Sequence, residues 1–148
     1  MSDALPKALA EIADDFAAMS TQDRLQLLLE FSTELPELPT EYAEHPELLE
    51  PVPECQSPIF VLAEVEGTGG DAAVRIHFSA PAEAPTTRGF AGILHEGLAD
   101  LTAQQILDVP MDLPHRLSLG EAVSPLRLNG MGGMLTRIKR QVREKAAL

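Results

Sequence analysis

Cysteine is almost absent from this sequence, because Cys55 is the only one among its 148 residues. A lone thiol cannot form an intramolecular disulfide, so the sequence excludes a fold that depends on internal disulfides. Proteins without disulfides are typical of reducing compartments, and we therefore expect a cytoplasmic location.

Long hydrophobic runs and the common ligand-binding motifs are also missing. The stretch IFVLA at residues 59–63 is typical of the longest apolar runs, whereas a membrane span needs roughly 18 such residues. Residues 1–15 lack the basic start and apolar centre of a signal peptide. The four histidines have no CxxC or HExxH context, and the glycine cluster NGMGG at 129–133 lacks the preceding strand of a phosphate-binding loop. We therefore expect no membrane contact, no metal and no cofactor. We interpret the glycine cluster as a place where another backbone segment approaches the last helix.

Basic residues are scarce outside the C-terminus, and the formal net charge is −12. Residues 1–54 contain thirteen acidic and two basic side chains, which argues against a nucleic-acid partner. Residues 127–148 contain six basic and one acidic side chain. Such a stretch occurs in nucleic-acid-binding proteins, but it also suits the last turns of a helix, where cations complement the helix dipole. We favour the helix interpretation.

Apolar spacing predicts helices towards both ends of the chain. A first helix has a stripe at Leu5, Leu9, Ile12, Phe16 and Met19. A second helix follows the cap candidates Ser20 and Thr21, and its predicted buried face comprises Leu25, Leu28, Leu29 and Ser32. Further along, Thr102 and Gln105 form a capping box. The last helix is predicted to start either at Ser124, with Pro125 just after it, or later, near Asn129. The inner face of that last helix is predicted to contain Met131, Met134, Leu135, Ile138 and Val142.

The centre of the chain predicts a β-hairpin. IFVLAEVE at 59–66 and AAVRIHFSA at 72–80 flank the turn GTGGD, and Val74, Ile76 and Phe78 alternate onto one face. A short extended piece at residues 48–52 is a candidate third strand. The order of helices, hairpin and helices predicts an α+β fold, in which a small antiparallel sheet packs against N-terminal and C-terminal helices. The length suits a single domain over residues 1–148.

Cys55 lies in the segment PVPECQSP at 51–58. Proline restricts the backbone here, so we interpret the segment as a stiff extended loop that presents the thiol, which weighs against a buried structural cysteine. The sequence leaves open whether Cys55 is exposed or buried at rest. A reactive thiolate needs a cation, a helix N-terminus or backbone donors nearby. The nearest basic residue along the chain is Arg75, so any activating cation has to come from a distant segment or from a partner. Glu50 and Glu54 disfavour a thiolate, and we expect a sluggish thiol in the isolated protein.

Four motifs in this order resemble the SufE family: LPELP at 35–39, CQSP at 55–58, RGF at 88–90 and SPLRLNGM at 124–131. The resemblance covers nearly the whole chain, although Phe60 stands where the family often has tryptophan. Members of the family are sulfur acceptors that stimulate cysteine desulfurases during iron–sulfur cluster assembly. The resemblance therefore implies a sulfur-transfer accessory protein that has no cofactor of its own and is not a stand-alone enzyme.

The resemblance also implies roles for individual residues. Cys55 would attack the persulfide of a pyridoxal-phosphate (PLP)-dependent cysteine desulfurase of the SufS type and carry the sulfur to a cluster scaffold complex. Gln56, Ser57 and Arg88 are candidates for orienting the loop or binding the partner. Arg127 matches the family's arginine before the last helix and is a candidate for a charge near the thiol or at the partner surface. Pairing of Arg127 with a glutamate of the acidic half is the alternative.

Two functions from other classes remain open at this point. A scaffold-like protein of cluster assembly would normally need several cysteine ligands, and this chain has one. A one-cysteine thiol peroxidase would need an activated thiolate. The metal content of the purified protein tests the first alternative, and peroxide turnover tests the second.

Overall fold

Seven helices and a three-stranded sheet make up residues 5–148, the part of the chain that the computed structural model describes. The predicted domain over residues 1–148 includes residues 1–4, which lie outside the described part. The helices are α1 (Lys7–Ala17), α2 (Thr21–Glu34), α3 (Thr40–Ala43), α4 (Pro85–Gly97), α5 (Ala103–Leu107), α6 (Leu113–Arg116) and α7 (Pro125–Lys145). The strands are β1 (Glu50–Pro51), β2 (Phe60–Glu66) and β3 (Ala73–Ser79), and two short 3-10 turns cover Pro46–Leu48 and Pro53–Cys55. No helix within the described residues is long and apolar enough to cross a lipid bilayer.

The sheet is an antiparallel hairpin with one short additional strand. β2 and β3 pair from Phe60 opposite Ser79 to Glu66 opposite Ala73. Gly67 and Gly69 both have positive φ in the connecting turn, a conformation that glycine adopts without steric cost. β1 pairs with the other edge of β2, with Glu50 opposite Val61. The predicted α+β class, the hairpin and the third strand are thus confirmed.

The core lies where the hairpin packs against α7 and α4, and where α1 and α2 pack against α4. The predicted inward-facing residues of β3 are all buried, as are all five predicted inner residues of α7. Gln141 fastens α7 to the sheet, because its side-chain oxygen accepts a hydrogen bond from the Ala63 N–H at 2.7 Å. The capping predictions are also confirmed: Thr102 and Gln105 form a capping box, and the Ser124 hydroxyl accepts from the Arg127 N–H. The structure therefore places α7 directly against β2. The same helix also contacts the short 3-10 turn that contains Cys55.

The packing of α2 differs in one respect from the prediction. Leu28 and Ser32 are buried and Leu29 is partly buried, but Leu25 is 40% exposed and Phe31 is buried in its place. The reason lies in α4, where Gly89 and Gly92 leave a groove in the helix surface. Added Cβ atoms at these two positions would lie 2.6 Å from the Leu28 carbonyl oxygen and 2.3 Å from the Phe31 carbonyl oxygen. The contact with α4, and not the local apolar spacing, decides which face of α2 is buried.

Substitution of Gly92 by alanine tests this close approach. The new methyl group meets backbone atoms of Phe31, which cannot rotate away, so we expect Gly92→Ala to lower the free energy of unfolding by about 1–3 kcal/mol. Gly132→Ala in α7 is the matched control, because no neighbouring atom lies within 4 Å of its added Cβ, and it is expected to raise stability by about 0.5–1 kcal/mol. Urea denaturation measures both. Equal effects of the two substitutions would contradict the inferred α2–α4 contact.

Candidate functional site

Cys55 ends a tight turn whose two flanks are anchored in the core. Val52 and Ile59 are each 1% exposed, and the Val52 N–H donates to the Ile59 carbonyl at 2.9 Å. Pro53 begins the 3-10 turn, and Gln56 closes it in the left-handed region with φ of 59°. The segment is therefore a compact turn, and the predicted extended loop is wrong. Proline at the first position of a 3-10 turn supplies a suitable φ and needs no backbone donor.

The thiol is buried, a point that the sequence by itself left open. Cys55 is 7% exposed and packs against α7 where that helix has glycines. A Cβ added at Gly130 would lie 3.0 Å from the sulfur of Cys55, and one added at Gly133 would lie 2.9 Å from the carboxyl carbon of Glu54. The glycine cluster thus allows a backbone segment to approach α7, as predicted, and that segment is the Cys55 turn itself.

The surroundings of the sulfur favour the protonated thiol over the thiolate. The Cys55 thiol donates to the Gly130 carbonyl at 3.5 Å, a contact that only the protonated form can make. Burial raises the pKa of Cys55 to about 12, the carboxylate of Glu54 adds to the increase, and Arg137 opposes it. This outcome agrees with the expectation of a sluggish thiol in the isolated protein.

Arg137 is the cation that contacts this turn directly, and the sequence patterns did not single it out. Its guanidinium lies 3.0 Å from the Glu54 carboxylate and 3.5 Å from that of Glu50, and it donates to the Gly133 carbonyl at 3.1 Å. One signal in the sequence indicates such a contact. Positions 130, 133 and 137 follow helical spacing, so the arginine lies on the same face of α7 as the two glycines.

A cleft of about 430 Å³ opens beside the turn and brings several predicted residues together. Its lining includes Cys55, Gln56 and Ser57 of the turn, the start of α4 at residues 85–87 and the start of α7 at residues 126–127. Arg127 belongs to this cleft, and its guanidinium donates to the Thr86 hydroxyl at 3.1 Å. Among residues 5–148, no glutamate forms an ion pair with Arg127, so the alternative role that we considered is not the one observed.

Arg88 lies apart from this cleft. Its guanidinium donates to the carbonyl oxygens of Ser32 at 2.9 Å, Ala80 at 2.6 Å and Leu35 at 3.2 Å. These contacts connect the end of α2 to the segment after β3. Any influence of Arg88 on the Cys55 turn therefore acts through the position of α4, and not through direct contact.

A second ion-pair group fastens β1 to α7 next to the turn. Arg140 contacts Glu50 and, at 3.2 Å, Glu144, and the Gln141 side-chain amide donates to Glu50 at 3.0 Å. Partial burial acts to raise the pKa of Glu50, but hydrogen bonds from Arg140 and Gln141, together with the charges of Arg140 and Arg137, lower this pKa overall. Glu50 is thus ionised at neutral pH and links the strand before the turn to the helix behind it. The site as a whole holds one protonated thiol on a small segment, with no cluster of metal-ligating side chains among the described residues.

Comparison with known proteins gives a consistent result. A family model described as SufE, Fe-S metabolism associated domain, matches residues 10–142. SufE-like proteins from two strains of Mycobacterium tuberculosis, CDC 1551 / Oshkosh and H37Rv, are each 55% identical over 140 residues, covering 95% of this chain and 94% of the relative. The solution structure of a hypothetical protein from Thermus thermophilus matches with a TM-score of 0.82 and 39% identity, over 97% of this chain and 98% of that one. With a family match over most of its length and relatives that share more than half of its residues, this chain belongs to the SufE family of iron–sulfur metabolism.

Proposed function

We propose that this protein accepts sulfur from the persulfide of a PLP-dependent cysteine desulfurase onto Cys55 and delivers it to a cluster scaffold complex. The observation that carries the proposal is the position of the only thiol, on a short turn beside an open cleft, with both flanks of the turn anchored in the core. Such a turn can present one sulfur atom without rearranging the rest of the fold. The family's role in iron–sulfur metabolism is consistent with a protein that carries sulfur.

The transfer step is a thiol exchange. The Cys55 thiolate attacks the terminal sulfur of the donor persulfide, and a new sulfur–sulfur bond forms to Cys55. The bond between the terminal sulfur and the donor cysteine breaks, and the donor cysteine leaves as a thiolate. No external oxidant or reductant is consumed, because one sulfur–sulfur bond replaces another. The desulfurase regains a free cysteine for its next turnover, which explains how an acceptor stimulates it.

The properties of the resting thiol suit a carrier better than an enzyme that works alone. A raised pKa and burial keep Cys55 unreactive towards solvent oxidants and small thiols. A thiol peroxidase needs the opposite, a depressed pKa that maintains a thiolate. A single thiol also means that no second cysteine of the chain is present to expel the bound sulfur as sulfide. Contact with the desulfurase then provides the donors that stabilise the thiolate.

The rim of the cleft is a candidate contact surface for the desulfurase. Leu126 is 54% exposed and lies next to Arg127 at the start of α7. Gln56 and Ser57 line the same cleft and, next to Cys55 in the chain, would move with the thiol if the turn opens. These residues surround the place where the donor persulfide has to enter. A cytoplasmic location, where thiols remain reduced, is part of the same proposal.

Mass spectrometry of the intact protein tests the proposal directly. After incubation with a SufS-type desulfurase and cysteine, we expect the mass of this chain to increase by one or more sulfur atoms at Cys55, and a reductant should remove them. The protein should also accelerate sulfide release by the desulfurase in the presence of a reductant. Cys55→Ser differs by one atom in the side chain, and we expect it to remain folded but to lose both effects. Normal stimulation by Cys55→Ser would contradict the carrier function.

A further inference from the structure

The turn that carries Cys55 is fixed at its flanks but held in its middle by side-chain contacts. Val52 and Ile59 are buried and joined by a backbone hydrogen bond. Between them, Cys55 contacts the Gly130 carbonyl, and Glu54 contacts Arg137. The 3.5 Å thiol contact is weak, since sulfur is a poor donor. The Glu54 contact is therefore the stronger of the two polar links between this turn and α7.

Arg137 connects three elements at this point. It contacts Glu54 in the turn and Glu50 in β1, and it donates to the Gly133 carbonyl of its own helix. Its side chain is 19% exposed, whereas that of Glu54 is 43% exposed. The guanidinium is thus held mainly by protein atoms, and Glu54 is the partner that is free to move away into solvent.

We propose that Arg137 is a positioning residue that holds the Cys55 turn closed against α7 through Glu54 and Glu50, and thereby sets how often the thiol becomes reachable. A thiol that is 7% exposed reacts with a reagent in solution only in the fraction of molecules whose turn has opened. Without the guanidinium, Glu54 loses its cationic partner on α7, whereas Glu50 keeps Arg140 and Gln141. The open fraction then rises. The benefit of a closed turn to a sulfur carrier rests on the proposed function, but the contact itself is a property of the isolated protein.

A cation near a thiol can instead act by stabilising the thiolate, and the two roles predict opposite results. Arg137 lowers the pKa of Cys55, although burial and Glu54 outweigh it. If this electrostatic effect were the main role, loss of Arg137 would raise the pKa further and slow alkylation at a fixed pH. If Arg137 holds the turn closed, its loss accelerates alkylation. The guanidinium contacts the two carboxylates and the Gly133 carbonyl, which favours the second role.

The test is the rate of iodoacetamide alkylation of Cys55 in the isolated full-length protein at pH 8, with no desulfurase present. We expect Arg137→Ala to react about fivefold faster than the wild type, which corresponds to about 1 kcal/mol for a partly shielded ion pair. Alanine and arginine have similar helix propensity, so α7 is expected to persist. Arg140→Ala is the matched control, because Arg140 lies on the same helix and shares Glu50 but does not contact Glu54 in the turn. We expect it to change the rate by less than about twofold.

A double-mutant cycle with Glu54→Gln separates the ion pair from other effects. We expect Arg137→Ala to add little once Glu54 has lost its charge, because its partner in the turn is then already missing. Urea denaturation of every variant shows whether faster alkylation merely follows a loss of global stability. A slower rate in Arg137→Ala, an equal acceleration in Arg140→Ala, or an acceleration fully matched by lost global stability would each overturn the proposal. Failure of sulfur uptake in the desulfurase assay would leave these rates unchanged, so the two proposals fail separately.

Discussion

Alkylation of Cys55 in the folded wild-type protein is expected to be about a hundred- to a thousandfold slower than in the same chain unfolded in urea at pH 8. Burial, followed by the charge of Glu54, raises the pKa of Cys55 from its ordinary value to about 12. At a pH below both pKa values, each unit of this increase lowers the thiolate fraction about tenfold, so an increase of about three units corresponds to about a thousandfold. Because Cys55 is the only thiol of the chain, incorporation of the label reports on this one site without further analysis.

The pH profile provides an internal check on this prediction. The unfolded chain should reach its maximum rate once the pH passes the ordinary pKa of a free cysteine, about 8.5. The rate for the folded protein should keep rising about tenfold per pH unit through pH 9–11, because a raised pKa moves the appearance of the thiolate to higher pH. A profile of the folded protein that levels off near pH 7 would show that the resting protein activates its own thiol. The proposal that the partner supplies activation would then be wrong.

Truncation of Ile138 to alanine is expected to lower the free energy of unfolding by about 2–5 kcal/mol. Ile138 is completely buried on the inner face of α7, together with Met134, Leu135 and Val142. Removal of its outer carbons leaves a cavity that these neighbours cannot fill without leaving their own positions. Urea denaturation of the wild type and the variant measures the loss directly.

Thr136→Ala is the matched control for this substitution, since Thr136 lies on the exposed side of the same helix and is expected to change stability by less than about 0.5 kcal/mol. An unchanged unfolding midpoint in Ile138→Ala would mean that α7 is not part of the core. The result also bears on the site, because α7 provides Gly130, Gly133 and Arg137 behind the Cys55 turn. Global unfolding of the weakened variant should expose the thiol, so its alkylation is expected to accelerate in parallel with the loss of stability.

Several elements of this fold follow from local patterns in the chain. The alternation in β3, the capping box at Thr102 and the inner face of α7 are all present in the structure as predicted. Each of these features depends on residues that are close together in the chain. A local sequence pattern is therefore enough to predict it. The third strand is also present as predicted, although its two residues pair with β2 only because the chain returns along that edge.

Contacts between distant segments account for the predictions that were wrong. Leu25 is exposed although helical spacing places it on the same face as Leu28, because Gly89 and Gly92 of α4 select a neighbouring face of α2. The prolines around Cys55 restrict the backbone locally, but they do not indicate which distant segment packs against the turn. The glycine-lined surface of α7, 75 residues further along the chain, accepts the turn and buries the thiol.

The sequence by itself determined which thiol the proposed sulfur transfer can use, because the chain has a single cysteine. It also determined the elements that surround that thiol and, through four motifs, the family to which the chain belongs. Only the tertiary structure decided the state of the thiol. Its burial, its raised pKa and the contact of Glu54 with Arg137 arise where α7 meets the Cys55 turn. These properties depend on distances of a few ångströms between groups that are some 80 residues apart in the chain. Burial and ion pairing act through space, so no local sequence pattern determines them.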